Sequence, residues 1–307
     1  MPKQPKSEIR RDYFQNKYVI ITPSRATRPR DVLEQSVYKK DGACVFCSEK
    51  IEKKLLIKTF KTHSDKITIL KNKFPAVSLN NSKAYGTQEV IIETAKHGPD
   101  LAELSIEQIQ AVLTVYAERT AKLSKNKKLD HILVFKNSGS KAGASLHHSH
   151  SQIFATKILP PEVLDELTAA RIYHTEKNTC PYCDIIKKEF VSPRRIYNDS
   201  LVSAIAPYAS QFHYEAWIMT KRHLDNITRL TEDEFHSFAK ALKQILNKLH
   251  HLGLSYNFFL HQVISDTDQH FYLKIQPRDS IWAGVELGSG LIINSVSPEK
   301  AAKYYRA

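Results

Sequence analysis

Two Cys-x-x-Cys pairs, each followed by the same order of features, constrain this chain more than anything else in its sequence. Cys44-Val-Phe-Cys47 leads to the strand-like run Glu89-Val-Ile-Ile-Glu93, then to His97, then to Ser105 at the start of a helical pattern. Cys180-Pro-Tyr-Cys183 leads in the same way to Glu215-Ala-Trp-Ile-Met219, His223 and Thr231. Glu89 and Glu215 each precede their histidine by eight residues, and Ser105 and Thr231 each follow theirs by eight. Such self-similarity is the mark of an internal duplication.

Ser105 with Gln108, and Thr231 with Glu234, have the spacing of capping boxes and predict two helix starts. Behind them Ile106, Ile109, Val112 and Leu113, and then Phe235, Phe238, Leu242, Ile245 and Leu249, recur at helical spacing and are expected to be core. A second strand-like run follows each helix, His131–Phe135 and Tyr256–Leu260, and leads to a histidine segment at His148 or His270. Short strands with a helix between them predict an α+β fold of two repeats, each an antiparallel sheet with a helix packed on it. Pro160 and Pro161 mark the connector, so residues 1–160 are expected to form one repeat and residues 161–307 the other.

The four cysteines suggest metal. Zinc takes about four ligands at tetrahedral angles, and a Cys-x-x-Cys turn supplies two of them from one loop. The repeat offers Cys44, Cys47, His97 and His148 for a first zinc site and Cys180, Cys183, His223 and His270 for a second. With four protein ligands each, both are expected to be structural. His147, His213, His251 and His261 read as surface or satisfied core residues.

Gly143-Ala-Ser-Leu-His-His-Ser-His-Ser-Gln152 holds the densest chemistry. In an extended segment His148, His150 and Gln152 point to one side. His148 is then free to hold metal while His150 acts as a nucleophile on phosphorus, giving a labile phosphoramidate. The small residues Asn137–Gly139 and Gly143–Ser145 form a loop whose amides suit phosphate oxygens. Ser145 and Gln152 add side-chain donors. The second repeat has His270-Phe-Tyr272 in place of His148-Ser-His150, so one active centre per chain is expected.

Arg25-Ala-Thr-Arg28-Pro29, Cys44-Val-Phe-Cys47, Asn72-Lys-Phe-Pro75, Asn137 with Gly139, His148-Ser-His150-Ser-Gln152 and Ala283–Gly290 resemble the galactose-1-phosphate uridylyltransferase family of the histidine triad superfamily. The resemblance runs nearly end to end and implies two histidine-triad-like repeats. It also implies ping-pong transfer through a nucleotidyl-histidine on His150, with Gln152, Ser145, Arg25 and Arg28 at the phosphates. Asn72, Phe74 and Asn137 would lie by the nucleoside and Glu286 by the hexose. Three departures stand out. Ser149 replaces the family's usual proline, the second site has the Cys2His2 form of short members such as ADP-glucose phosphorylases, and Ile292 stands near the place of a familiar glutamine contact.

The expected partners are a nucleotide-sugar and a sugar phosphate, with UDP-hexose as donor in galactose metabolism and a homodimer possible. An ADP-glucose or dinucleotide phosphorylase on the same scaffold stays open. The net charge of +13 fits an anionic partner and leaves room for a zinc-dependent nucleic-acid module, which does not account for the histidine motif. No apolar run reaches the roughly 18 residues of a membrane helix. The N-terminal MPKQPKSEIRRD does not read as a secretory signal, so a cytoplasmic protein is expected.

Overall fold

The computed structural model describes residues 7–27, 44–264, 266 and 268–307. An N-terminal hairpin, β1 (Glu8–Arg11) and β2 (Tyr18–Ile21), precedes β3 (Leu56–Lys61), β4 (Lys66–Lys71) and β5 (Gly86–Ile92). Helix α1 (Ile106–Leu123) then leads to β6 (His131–Ser138) and β7 (His150–Thr156). Helices α2 (Pro161–Lys177) and α3 (Pro181–Glu189) connect to β8 (Arg195–Asn198), β9 (Val202–Ile205) and β10 (Ala216–Thr220). After α4 (Glu232–His251) come β11 (Tyr256–His261) and β12 (Tyr272–Pro277), then α5 (Gly284–Ser289), β13 (Ile292–Asn294) and α6 (Pro298–Arg306).

Strands β3 to β12 form one antiparallel sheet of ten, in the order β3-β4-β5-β7-β6-β11-β12-β10-β9-β8. The second half repeats the first in reverse order about the β6–β11 seam. Phe135 pairs with Gln152 and Phe259 with Lys274, while Phe135 and Phe259 face each other across that seam. The duplication read from the sequence is therefore a near-twofold fold, and the pairing of its two inner strands removes two sheet edges that would otherwise be open to association.

Helices α1 and α4 lie against one face of this sheet and share a single core with both halves. Ile109, Val112 and Leu113 and then Phe235, Phe238, Leu242, Ile245 and Leu249 are buried in it, as their spacing predicts, while Ile106 is only partly buried at its margin. The opposite face is treated unequally. In the second half α2 and α3 cover it, burying Tyr182, Ile185, Ile186, Trp217, Met219 and Tyr272. Among the described residues of the first half, Phe46, Ile51 and Leu55 pack there, against Leu70, Val90 and Ile92. That part of the face lies next to the histidine motif.

Two expectations need correction. Thr231 and Glu234 form the predicted capping box on α4. Ser105 caps α1, but Gln108 does not reach back: its Nε2 donates to the Glu93 carbonyl at 2.8 Å and its Oε1 accepts from Thr62 at 2.7 Å. Glu89 and Glu215, equal in spacing, are not equivalent in space. Ile92 pairs with His150 and Met219 with Tyr272, yet one residue, Glu93, separates Ile92 from Thr94 while none separates Met219 from Thr220. That single extra residue puts Glu89 on the α1 face, bonded to Arg119 at 2.6 and 2.8 Å, and Glu215 on the other face, bonded to Trp217 Nε1 at 2.9 Å. A slip of one residue in a strand exchanges its faces.

A second, three-stranded sheet pairs β1 with β2 and β2 with β13. Ile292 is buried there with Val19 and Ile21.

Removing the α4 cap with Thr231→Ala leaves the amide of Glu234 without its side-chain acceptor. It should lower unfolding free energy by about 1 kcal/mol, read as a shifted denaturant midpoint with an unchanged slope.

Candidate active site and metal centres

Each Cys-x-x-Cys pair meets its two histidines at one end of the sheet, where the strand before the helix and the histidine segment lie side by side. The donor atoms of Cys44, Cys47, His97 and His148, and those of Cys180, Cys183, His223 and His270, lie within 4.8 Å of one another in each group. Cys44 Sγ and Cys47 Sγ are 3.8 and 3.9 Å from His148 Nδ1, and Cys47 Sγ is 3.7 Å from His97 Nδ1. In the second cluster Cys183 Sγ is 3.5 Å from His223 Nδ1 and 3.6 Å from His270 Nδ1. Sulfur and nitrogen ligands around one tetrahedral ion lie about 3.4–3.8 Å apart, so both clusters have the dimensions of a metal site.

The buried histidine of each cluster is held from behind. His148 Nε2 lies 2.9 Å from the Thr94 carbonyl and His270 Nε2 lies 2.8 Å from that of Thr220. A carbonyl only accepts, so the proton sits on Nε2 and the Nδ1 lone pair faces the cluster. That outer hydrogen bond is the usual device for orienting a ligating imidazole. Both clusters could hold a metal ion, and the donor sets suit a soft or borderline cation.

His150 opens β7 just beyond the first cluster. Its Nδ1 donates to the His148 carbonyl at 2.8 Å, which leaves the lone pair on Nε2. Burial lowers its pKa, opposed by that hydrogen bond and reinforced by the charge of Lys136, so the ring is held neutral. Phe46, between the two cysteines, stands edge-on to the ring with centroids 5.0 Å apart. Gln152 follows on the same face, and its Oε1 accepts from Gln88 Nε2 at 3.0 Å and Asn72 Nδ2 at 3.4 Å. With the oxygen occupied twice, the amide hydrogens of Gln152 are turned toward other acceptors.

Beside His150 lies a cavity of about 940 Å³, lined among others by Asn137, Gly139, Ser145 and His148. Its loop depends on two glycines with φ near +80°, Gly139 and Gly143, and a Cβ on Gly139 would fall 2.2 Å from Ser255 Oγ. Asn257, from β11 of the second repeat, donates to Asn137 Oδ1 at 2.8 Å and to the Ala142 carbonyl at 2.9 Å. The second repeat thereby steadies the loop of the first. Ser145 is exposed in that loop, and Phe74 is 83% exposed next to Asn72.

The remaining sequence candidates lie elsewhere. Arg25 lies in the 3-10 turn that follows β2 and Glu286 in α5 just before β13, so both flank the three-stranded sheet, and neither lines the cavity at His150. Glu286 Oε2 accepts from the Ala283 amide of its own helix at 2.9 Å. Arg28 falls outside the described residues.

Under the motif runs a buried polar network absent from the sequence reading. Lys136, 1% exposed, donates to Glu93 at 2.7 Å, Ser149 Oγ at 3.0 Å and the His150 carbonyl at 3.2 Å, and lies 3.3 Å from Asp100. Burial opposes the charge on Lys136, but Glu93 and Asp100 outweigh it and raise its pKa. Burial likewise opposes the charge on Asp100, yet Lys136, the Leu101 amide and the Tyr256 hydroxyl bring its pKa down to about 2. One signal was available: a lysine at a core-facing position of the otherwise apolar run that begins at Ile132.

Comparison with known proteins bears on this geometry. A family model for the galactose-1-phosphate uridyl transferase N-terminal domain matches residues 61–160. The ADP-glucose phosphorylase of Arabidopsis thaliana is 30% identical over 97% of this chain and 92% of its own length. The galactose-1-phosphate uridylyltransferase of Thermotoga maritima is 30% identical over 97% of this chain and 98% of its own. The chain belongs to the galactose-1-phosphate uridylyltransferase family. The structure of the Arabidopsis thaliana phosphorylase with bound ADP-glucose matches it with a TM-score of 0.87 at 28% identity, covering 98% of both chains. Like the members named here, this member of the family is a nucleotidyltransferase. No described helix is long and apolar enough to cross a membrane.

The two cysteine–histidine clusters of this family member should be separable by spectroscopy. Reconstituted with cobalt(II), the protein should show tetrahedral visible bands with thiolate charge transfer, and His148→Ala and His270→Ala should each remove about half of the intensity, since each breaks one set of four ligands. Octahedral spectra, or a single variant that abolishes all the intensity, would rule out two independent sites.

Proposed function

We propose that the chain moves a nucleoside monophosphate from a nucleotide-sugar to a phosphate-bearing acceptor by way of a covalent His150 intermediate, as a UDP-hexose:hexose-1-phosphate uridylyltransferase. The observation that carries this reading is the hydrogen bond from His150 Nδ1 to the His148 carbonyl, which leaves Nε2 as a fixed, unprotonated nucleophile at the mouth of the cavity.

In the first step the Nε2 lone pair attacks the α-phosphorus, the bond from phosphorus to the bridging oxygen breaks, and hexose 1-phosphate leaves with the electron pair. The positive charge that develops on the ring is met by the His148 carbonyl. In the second step an acceptor phosphate oxygen attacks phosphorus and the P–N electrons return to Nε2. Splitting the transfer in this way is the work of a covalent catalyst. Gln152, held by Asn72 and Gln88, and Ser145 donate to the non-bridging oxygens. Asn137, with Oδ1 taken by Asn257, offers its amide hydrogens to the nucleoside, and exposed Phe74 offers a face for the base. Both clusters hold zinc in a structural role, His148 anchoring the backbone from which His150 projects.

Arg25 and Glu286 enter through a second copy of the chain. Their separation from His150 within one chain supports a homodimer in which they complete the partner's phosphate and hexose contacts. A second reading, in which ADP-glucose is the donor and inorganic phosphate the acceptor, is supported by the 0.87 match to the Arabidopsis thaliana phosphorylase and by Ile292, which is buried in the small core and so gives no hexose contact.

His150→Ala should keep fold and metal content while lowering turnover by several orders of magnitude, and His148→Ala should lose metal and stability together. Donor alone should leave the wild type heavier by one nucleoside monophosphate, in an acid-labile adduct that the His150→Ala protein does not form. UDP-glucose with galactose 1-phosphate, set against ADP-glucose with inorganic phosphate, distinguishes the readings. A rate at least about ten times higher for the second pair, a gap of about 1.4 kcal/mol in barrier, replaces the uridylyltransferase reading.

A further inference from the structure

The two repeats offer an internal comparison that isolates what the active one needs. Phe135 and Phe259 occupy equivalent places, as do the residues after the metal histidines, so Lys136 corresponds to Leu260, Ser149 to Phe271 and Ser151 to Leu273. Tyr116 and Leu242, each eleven residues past its helix cap, correspond as well. In the second repeat all four positions are apolar and at most 1% exposed. In the first, Lys136, Ser149, Ser151 and Tyr116 are joined through Glu93, the residue inserted between the strand and the carbonyl brace, which has no counterpart between Met219 and Thr220. Glu93 accepts from Lys136 at 2.7 Å, Ser149 Oγ at 2.6 Å and the Tyr116 hydroxyl at 3.0 Å, and Tyr116 reaches Ser151 Oγ at 2.7 Å.

The fold alone does not require these groups, since the second repeat builds the same strands, the same metal geometry and the same carbonyl brace on His270 without them. What the first repeat has in addition is His150. Every polar group of the network ends on the segment that carries it: Lys136 on the His150 carbonyl and Ser149, Glu93 on Ser149, and Tyr116 on Ser151. Ser149 stands where the resembling family has proline. A proline there would stiffen the segment through its ring but could make none of the Ser149 hydrogen bonds to Glu93, Lys136 and Asp100.

We propose that Glu93 and Lys136 are a positioning pair for His150, a buried ion pair inserted into the active repeat that clamps residues 149–151 so that the imidazole holds its attacking geometry. Glu93 does not line the cavity, and Lys136 borders it but is 1% exposed, with its ammonium turned to Glu93, Ser149 and the His150 carbonyl. The pair takes over the stiffening that proline would give and adds what a proline lacks, a direct hold on the carbonyl of the nucleophile itself. A buried ion pair contributes little net stability compared with an apolar pair of the same size, which makes a role in geometry the better account of why it stands here.

The inference rests on His150 being the nucleophile, and the test separates the two. The first variant, Lys136→Leu with Glu93→Leu, places at 136 the leucine found at Leu260 and removes both charges of the pair, and Glu93→Gln is a near-isosteric second variant. The wild type and both variants are mixed with the donor that the panel above selects, and adduct formation is followed in a single turnover alongside KM, metal content and thermal unfolding. Both variants should keep their metal and fold cooperatively, with adduct formation slowed by about 10- to 100-fold and KM changed by less than about threefold. If the double variant does not fold, Glu93→Gln alone carries the test. A folded variant that forms adduct within about threefold of the wild-type rate, or whose loss lies wholly in KM, overturns the positioning role. A wild type that forms no adduct instead overturns the nucleophile assignment.

Discussion

The pairing of β6 with β11 is the contact on which the rest of the molecule depends. It joins two half-sheets into one, gives α1 and α4 a common surface to cover, and sets Phe135 opposite Phe259 at the pseudo-twofold centre. It also makes the active site a product of both repeats. Asn257 can hold Asn137 and the Ala142 carbonyl only because the two strands are in this register, and the Tyr256 hydroxyl reaches Asp100 at 2.9 Å across the same seam. The second repeat thus acts as scaffold for the loop of the first.

Starting from one frame, the repeats have diverged in how they treat the face away from the long helices. In the second, Tyr272 takes the place of His150, its hydroxyl bonded to the buried Glu166 at 2.7 Å, and α2 and α3 close over it. In the first, among the described residues, Phe46, Ile51 and Leu55 pack on that face, and the polar groups lie beneath the strand instead. A lone buried lysine would give up its charge. Flanked by Glu93 and Asp100, Lys136 keeps it, and breaking such a pair by removing one partner costs about 3–5 kcal/mol, mostly because the other charge is stranded. The two arrangements show what is common to both repeats, the cysteine–histidine clusters with their carbonyl braces, and what is particular to the first, the polar groups beneath its strand.

Much of this was legible in the residues. The duplication, both four-residue clusters, the helix starts at Ser105 and Thr231 and the central place of His148, His150 and Gln152 could be read because each depends on short-range spacing that the chain carries with it. The failures have a common cause. Equal spacing made Glu89 and Glu215 look alike, but a strand's faces depend on pairing register, and one extra residue reversed them. Gln108 had the spacing of a capping residue, but its amide found Glu93 and Thr62, groups made available by the sheet.

The sequence by itself determined the repeated α+β architecture, the two cysteine–histidine sets that could hold metal and the histidine motif proposed to carry the nucleophile, since these follow from residue types at fixed short intervals. Tertiary structure alone decided which nitrogen of His150 is free, that Gln88 and Asn72 turn Gln152, that Asn257 steadies Asn137, that Arg25 and Glu286 lie apart from the cavity, and that Lys136 is charged in the core. The His150 tautomer depends on the backbone shape that turns its ring to the carbonyl two residues before it. The hydrogen bonds of Gln152, Asn137 and Lys136 need partners distant in the chain, brought within reach by sheet order and register, and neither is encoded in the spacing of the residues concerned.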